Sequence, residues 1–422
     1  MHKKFAPTPP MGWNSWDCYG ATVNEEALRG NAEYMAKYLK DYGWEYIVCD
    51  IQWSEPKAKG FAYNDFYPLC MDEYSRLIPS VERFPSSEGG KGFKPIADYV
   101  HSLGLKFGIH IMRGIPRQAV HSEASIKCDG VKARDIALPY SVCMWNTDMY
   151  GVNPKAKGAQ EYYDSLLELY ASWGVDFIKC DDIADTRFSA NHYEGKAEIE
   201  MLRKAIDKCG RDIVLSLSPG PADPKQHLHL AANANMWRIT DDFWDSWERI
   251  HDMFDRCLTW QSYVKPGAWP DCDMLPIGHL ALCDNNGKGR WTNFTEDELK
   301  TLMSLWCIFR SPLMIGAEMR DNDEFTLSLL QNEELIYMLK NSKGARQIYR
   351  DEKNKKGTIM WQSQGKKCTY LAIFNTDNKN HNIKYDIGDN SKVWDMWEHK
   401  EIKYNGAVKV NSHGVRMLKL EK

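Results

Sequence analysis

The residues best suited to chemistry lie in two runs that end in carboxylates, Asp-Phe-Ile-Lys-Cys-Asp-Asp (Asp176 to Asp182) and Met-Trp-Arg-Ile-Thr-Asp-Asp (Met236 to Asp242). Both read as strands. Alternate side chains of a strand share a face, so Lys179 points with Asp181, and Arg238 and Thr240 point with Asp242. Each of these two acids thus has a cation on its own face. A carboxylate beside a fixed positive charge stays ionised, as a nucleophile must, whereas one in a drier setting keeps its proton until a leaving group needs it. Two acids with separate roles point to cleavage of a glycosidic bond. The same parity turns Asp182 and Asp241 the other way, with Ile178 and Cys180 or Trp237 and Ile239, toward a helix layer. The alternative for any single acid at a strand end is that it caps the following helix.

Such acids need a scaffold that gathers strand ends in one place. Strand-like runs at 11–16, 46–50, 106–112, 176–182, 213–218, 236–241, 269–274 and 311–315 alternate with runs of helical spacing, clearest at 25–41, 94–103, 159–173, 197–209 and 296–309. Eight βα units predict an α/β fold, a (β/α)8 barrel of the TIM type, with its site in the loops after Trp16, Asp50, His110, Asp181, Ser218 and Asp242. After about Gly344 the texture changes to short alternating strands at 358–362, 369–375, 392–397 and 415–420, separated by Gly, Asn and Asp. This predicts a catalytic barrel over 1–343 and an antiparallel β-sandwich over 344–422. The stretches 54–85 and 114–163 read as loop insertions, where substrate-shaping elements usually sit.

Composition limits the partners. A chain of 422 residues, 43% hydrophobic, can bury a large core. Lys plus Arg (54) nearly balances Asp plus Glu (58), with no basic stripe, which argues against a nucleic-acid or membrane partner and leaves a homo-oligomer open. The 16 Trp and 21 Tyr offer flat apolar rings of the kind that pack on the C–H faces of sugars, although most belong in a core. Twelve cysteines without a CxxC pair predict buried free thiols, and twelve histidines without HExxH spacing give no support for a metal. The amino terminus lacks the apolar run of a signal peptide, so the expected location is cytoplasmic.

Seven motifs then carry a resemblance. Pro-Pro-Met-Gly-Trp-Asn-Ser-Trp (9–16), Arg-Phe-Pro (83–85), Tyr-Val-His-Ser-Leu-Gly-Leu-Lys-Phe-Gly-Ile (99–109) and Trp-Gly-Val-Asp-Phe-Ile-Lys-Cys-Asp (173–181) resemble glycoside hydrolase family 27. So do Trp-Arg-Ile-Thr-Asp-Asp-Phe-Trp-Asp-Ser-Trp (237–247), Pro-Asp-Cys-Asp-Met-Leu (270–275) and Arg-Ser-Pro-Leu-Met-Ile (310–315). That family comprises retaining exo-acting α-galactosidases, α-N-acetylgalactosaminidases, β-L-arabinopyranosidases and isomaltodextran-cleaving enzymes. The resemblance implies a barrel followed by a β-sandwich, a covalent glycosyl-enzyme intermediate, a small carbohydrate substrate and no cofactor. It places the nucleophile on Asp181 and the general acid/base on Asp242, as parity does. It also assigns Lys179 and Arg238 to sugar hydroxyls, Trp16 to a platform beneath the ring, and Asp50 to a carboxylate accepting hydrogen bonds from the far side of the sugar.

Three departures bear on the substrate. The α-galactosidase pattern has two adjacent acids after the second strand, but here Asp50 is followed by Ile51. A galactoside carries a hydroxymethyl group at C5 that would lose its acceptor, and β-L-arabinopyranose is the stereochemical equivalent without that group. An unpaired buried hydroxyl costs about 1–3 kcal/mol. Strict alternation would turn Ile51 away from the barrel axis; its place in the pocket comes from the resemblance. Ser218, in Ser-Leu-Ser-Pro-Gly-Pro, stands where galactosidases have a bulkier sequence and leaves room beside O2, as in the N-acetylgalactosaminidases. His110, followed by Met112 and Arg113, replaces a common tyrosine and suggests an altered pocket wall, or else a histidine satisfied inside the barrel. A catalytically silent carbohydrate-binding protein would share the scaffold; intact Asp181 and Asp242 favour the enzyme.

Overall fold

The computed structural model describes residues 2–186, 189–284, 287–352, 357–388 and 392–421. Eight parallel strands, β1 (Met11–Asn14), β2 (Tyr46–Cys49), β3 (Lys106–Met112), β4 (Phe177–Asp181), β5 (Val214–Leu217), β6 (Met236–Arg238), β7 (Trp269–Asp271) and β8 (Leu313–Ile315), form one sheet in which chain neighbours pair and β1 pairs with β8. The sheet closes between β7 and β8 just beyond the end of β7. There the Leu275 amide donates to the Met314 carbonyl at 2.7 Å and the Gly316 amide to Leu275 at 3.0 Å. All eight expected strands are present, and the expected helices appear as α1 (Glu25–Tyr38), α2 (Lys94–Ser102), α3 (Ala159–Ser172), α4 (Lys196–Lys208) and, after the short α5 (His227–Asn233) and the longer α6 (Trp247–Trp260), α7 (Glu296–Phe309).

Local chemistry sets the helix starts. The Asn24 side chain accepts from the Ala27 amide at 2.9 Å to begin α1, and Thr295 with Glu298 forms a capping box on α7. Alternation divides each strand between two cores. Ile47 and Cys49, Ile109 and Ile111, Ile178 and Cys180 pack toward the helices, while Tyr46, Val48 and Phe177 join Val214, Met236, Trp269 and Met314 inside the barrel. Gly12 is forced by that packing, because a Cβ there would lie 2.5 Å from the Tyr46 carbonyl oxygen.

The carboxy-terminal unit is an antiparallel β-sandwich. Its larger sheet runs β9 (Lys343–Asp351), β10 (Thr358–Gln364), β11 (Cys368–Asn375), then β16 (Val415–Glu421), β13 (Lys392–Asp395) and β14 (Lys400–Glu401). Across one face lies the pair β12 (His381–Lys384) and β15 (Ala407–Val410). Met360, Leu371, Ile373, Leu418 and Leu420 meet Ile383, Val408 and Val410 there. The other face, Ile359, Trp361, Ala372, Phe374 and Met417, belongs to the barrel's own core. With both faces covered, the sheet reads as an unbroken apolar run at 371–374. The Thr301 hydroxyl of α7 donates to the His413 carbonyl at 2.7 Å, and the Trp397 ring nitrogen to Ser304 at 2.9 Å, pinning the two units together. All twelve cysteines are free thiols, seven of them buried.

Candidate active site

A cavity of about 330 Å³ lies at the carboxyl ends of the barrel strands. Of the residues singled out from sequence, Trp16, Asp50, Ile51, Lys179, Asp181 and Asp242 line it. His110 and Arg238 stand behind this surface, each bonded to one of the two expected catalytic acids.

The floor is built by β2, β3 and β4. Pairing of His110 with Lys179 and of Met112 with Asp181 brings the inward side chains of β3 and β4 together. Lys179 donates to Asp50 Oδ2 at 2.8 Å, and the same oxygen accepts from Asn14 at 2.7 Å. Burial opposes the charge on Asp50, but Lys179 and His110 outweigh it and lower the carboxyl from its ordinary value. Lys179 is correspondingly raised, against its own desolvation, by Asp50 and Asp181. His110 Nε2 lies 3.1 Å from Asp181 Oδ2, and the Asp182 amide donates to Asp181 Oδ1 at 3.0 Å. An ionised carboxylate only accepts, so Nε2 carries the proton. Against burial, the His110 hydrogen bond and then the His110 and Lys179 charges hold Asp181 well below the usual carboxylate range.

The second acid has other surroundings. Asp242 lies four residues past the end of β6, and its side chain is 65% exposed. Arg238 reaches it at 3.0 Å while pairing with buried Asp273 at the same distance. Asp273 and its neighbour Asp271 sit under the arginine; burial, with Asp273 adding to it, pushes Asp271 up to about 7. Asp17 beside Trp16 is also raised, by burial and then by Asp273.

Aromatic rings wall the cavity. Tyr63 stacks on Trp16 with centroids 6.1 Å apart, Phe61 meets Trp16 edge-on at 5.7 Å, and Trp145 lies 5.8 Å from Tyr63. Phe61, Tyr63 and Trp145 come from the two insertions and were not singled out in the sequence. They carry no periodic signal there; the only pointer was that long loops after barrel strands shape sites. On the same side Ile51 packs with Met112, Cys143 and Met149, an apolar patch beside Asp50.

Strict alternation does not survive the strand ends. Asp182 and Asp241, expected to face the helices, both line the cavity. Asp182 has φ of 54°, which breaks the pleat; its carboxylate pairs with Arg113 at 2.9 Å and burial nonetheless raises it to about 7. The strand expected to reach Asp241 stops at Arg238, so Asp242 is placed by a loop and by its bond to Arg238 rather than by parity. Trp16 begins a short helix instead of ending β1. Ile51 lies two residues past the end of β2 and faces the cavity despite its odd position. Ser218 is fully buried, its hydroxyl without a partner among the described residues, and Pro219 holds the wall in its place. His110 and Arg113 do not act as a pair. Arg113 turns to Asp182 and, at 3.0 Å, to Glu198. Among the described residues no group of three or more His, Cys, Asp or Glu is arranged to hold a metal ion, and no helix is long and apolar enough to cross a membrane.

A barrel whose strand ends present an ionised, buried carboxylate and a second, exposed one around a pocket of sugar size can cleave glycosides. The sequence profile of alpha galactosidase A matches residues 147–341, and that of the alpha galactosidase C-terminal beta sandwich domain matches residues 355–420. The chain belongs to glycoside hydrolase family 27. It is similar to a family 27 β-L-arabinopyranosidase from Geobacillus stearothermophilus, at 53% identity and a TM-score of 0.96 over 100% of this chain and 98% of that one; a variant of that enzyme has been solved in complex with arabinose. A Bacillus halodurans protein inferred to be an alpha-N-acetylgalactosaminidase shares 48% identity at a TM-score of 0.86, covering 98% and 97% of the two chains. An alpha-galactosidase of Coffea arabica is 30% identical over 97% of this chain and 93% of its own.

Proposed function

We propose that this glycosidase is exo-acting and retaining, and that it removes terminal β-L-arabinopyranosyl residues in preference to the stereochemically equivalent α-D-galactopyranosyl ones. In this reading Asp181 attacks the anomeric carbon while Asp242 protonates the departing oxygen; Asp242 then takes a proton from the water that hydrolyses the glycosyl-enzyme ester. The low-lying carboxyl of Asp181 and the open position of Asp242 support this division of labour. Lys179, Asp50 and Arg238 would meet the sugar hydroxyls above the Trp16 ring.

Ile51 carries the choice of sugar. It lies in the cavity wall beside Asp50, within an apolar patch that offers the C5 hydroxymethyl of a galactoside no acceptor. A buried hydroxyl left unpaired costs about 1–3 kcal/mol, or roughly ten- to a hundred-fold in kcat/KM. The Geobacillus β-L-arabinopyranosidase supports the same choice by likeness. The test is a set of aryl glycosides, α-D-galactopyranoside, β-L-arabinopyranoside and N-acetyl-α-D-galactosaminide, under identical conditions. Wild-type enzyme should favour the arabinopyranoside, and Ile51→Asp should move the ratio toward galactose by roughly ten- to a hundred-fold. A faster galactoside, or a ratio unmoved by the substitution, sinks the assignment. The N-acetylgalactosaminide arm tests the reading suggested by the Bacillus halodurans relative. NMR of the first-formed sugar tests retention.

A further inference from the structure

The cavity has a depth axis. Asp50 is buried at one end with 1% of its side chain exposed, Lys179 and Asp181 beside it keep 12% and 13%, and Asp242 keeps 65%. If Asp181 attacks and Asp242 protonates, as proposed above, the cleaved ring lies on the floor and the leaving group extends outward past Asp242. On that path two loops from opposite sides of the barrel meet. Phe61 comes from the insertion after β2, and Trp244 comes two residues after Asp242, beyond β6; three strands of the eight-stranded barrel lie between them on either side. Their rings touch edge to face, with centroids 5.6 Å apart at 84°. Phe61 also lines the cavity and remains 36% exposed. The pair is a bridge across the mouth. Asp185 and Asp241 line the cavity with it, and carboxylate oxygens have capacity for more than one donor.

Resting on the reading of Asp181 and Asp242 above, we propose that the Phe61–Trp244 bridge is the leaving-group subsite and that the leaving group it takes is a neutral pyranose ring. A sugar ring has an apolar C–H face for an aromatic ring and hydroxyl donors at its edge for carboxylates, and this rim offers both. A purely apolar leaving group has no use for the acids, and an anionic one is repelled by them.

The experiment compares three substrates of one glycone: the glycosyl fluoride, which has no leaving-group ring, the aryl glycoside, and a disaccharide on glucose. Phe61→Ala should lower kcat/KM for the disaccharide roughly ten-fold more than for the fluoride, the range expected for one aromatic contact. Phe61→Tyr should restore most of it. Trp244→Ala provides a second, independent variant with the same expected order. Equal losses on fluoride and disaccharide, or no loss on either, overturn the subsite. A loss confined to the aryl glycoside overturns the pyranose assignment. Because the comparison is made within one glycone, a wild-type preference for galactosyl over arabinosyl fluoride would sink the choice of sugar and leave the bridge standing.

Discussion

Asp181 and Asp242 are both aspartates delivered by barrel strands with β5 between them, yet everything around them differs. Asp181 is the last residue of β4, so the sheet itself fixes its backbone, and three donors or cations (His110, the Asp182 amide and Lys179) converge on it from the floor. Asp242 hangs beyond β6 with one arginine behind it and solvent in front. Burial opposes the charge on Asp181. In Asp271, equally enclosed, burial and Asp273 outweigh Arg238 and push the carboxyl up to about 7, whereas in Asp181 the His110 bond and the His110 and Lys179 charges outweigh burial. The sequence expectation put the proton donor in the drier setting, but Asp242 is the more exposed of the two acids; in the proposed mechanism that exposure lets it exchange a proton with water within each turnover.

The largest expected effect follows from removing the fixed member. Asp181→Ala should abolish turnover of every substrate, by about four orders of magnitude or more, as for loss of a covalent nucleophile. Azide or formate should restore part of it, with an external nucleophile in the emptied space and a product of inverted configuration, read by NMR. If Asp182→Ala is instead the inactive variant and Asp181→Ala is near normal, the contrast has been drawn around the wrong residue.

The next effect depends on the leaving group. Asp242→Ala should cost about two to four orders of magnitude on a disaccharide. With a dinitrophenyl leaving group, which departs unprotonated, the first step should be nearly spared and the glycosyl-enzyme should accumulate as a burst. Equal losses on both substrates would show that Asp242 positions the sugar and does not donate a proton.

How much of this was legible in the sequence follows the same division between strand and loop. The eight barrel strands were readable because they are buried on both faces, as were the long amphipathic helices. Lys179 and Asp181 were readable because they still lie inside β4, where the pleat alternates with Phe177. Beyond the last paired residue the period is lost: Asp182, Ile51 and Asp241 all turn to the cavity against their parity. The pair β12 and β15 was missed because both strands are only four residues long and together bury just Ile383, Val408 and Val410. The acids of Pro-Asp-Cys-Asp-Met-Leu were in view but given no task. Their place under Arg238 depends on a contact 35 residues along the chain, which no local pattern encodes.

The smallest effect, and the sharpest on the contrast itself, concerns His110. His110→Phe keeps a ring of similar size but removes the Nε2 donor 3.1 Å from Asp181 Oδ2. The donor and its charge are the largest influences that lower the Asp181 carboxyl against its burial, so the carboxyl should rise toward its desolvated value, opposed by Lys179 alone among the charges. In the proposed mechanism only the ionised form attacks. Below its pKa the free enzyme is inactive, and the acidic limb of kcat/KM should therefore move to higher pH. Above that limb the loss should be modest, about ten-fold, because Lys179 and the Asp182 amide still hold the carboxylate in place. A pH profile of kcat/KM on the arabinopyranoside, from about pH 4 to 9, separates the outcomes. An unmoved acidic limb with a uniform loss would mean that His110 only fills space, and that Lys179 by itself keeps Asp181 ionised.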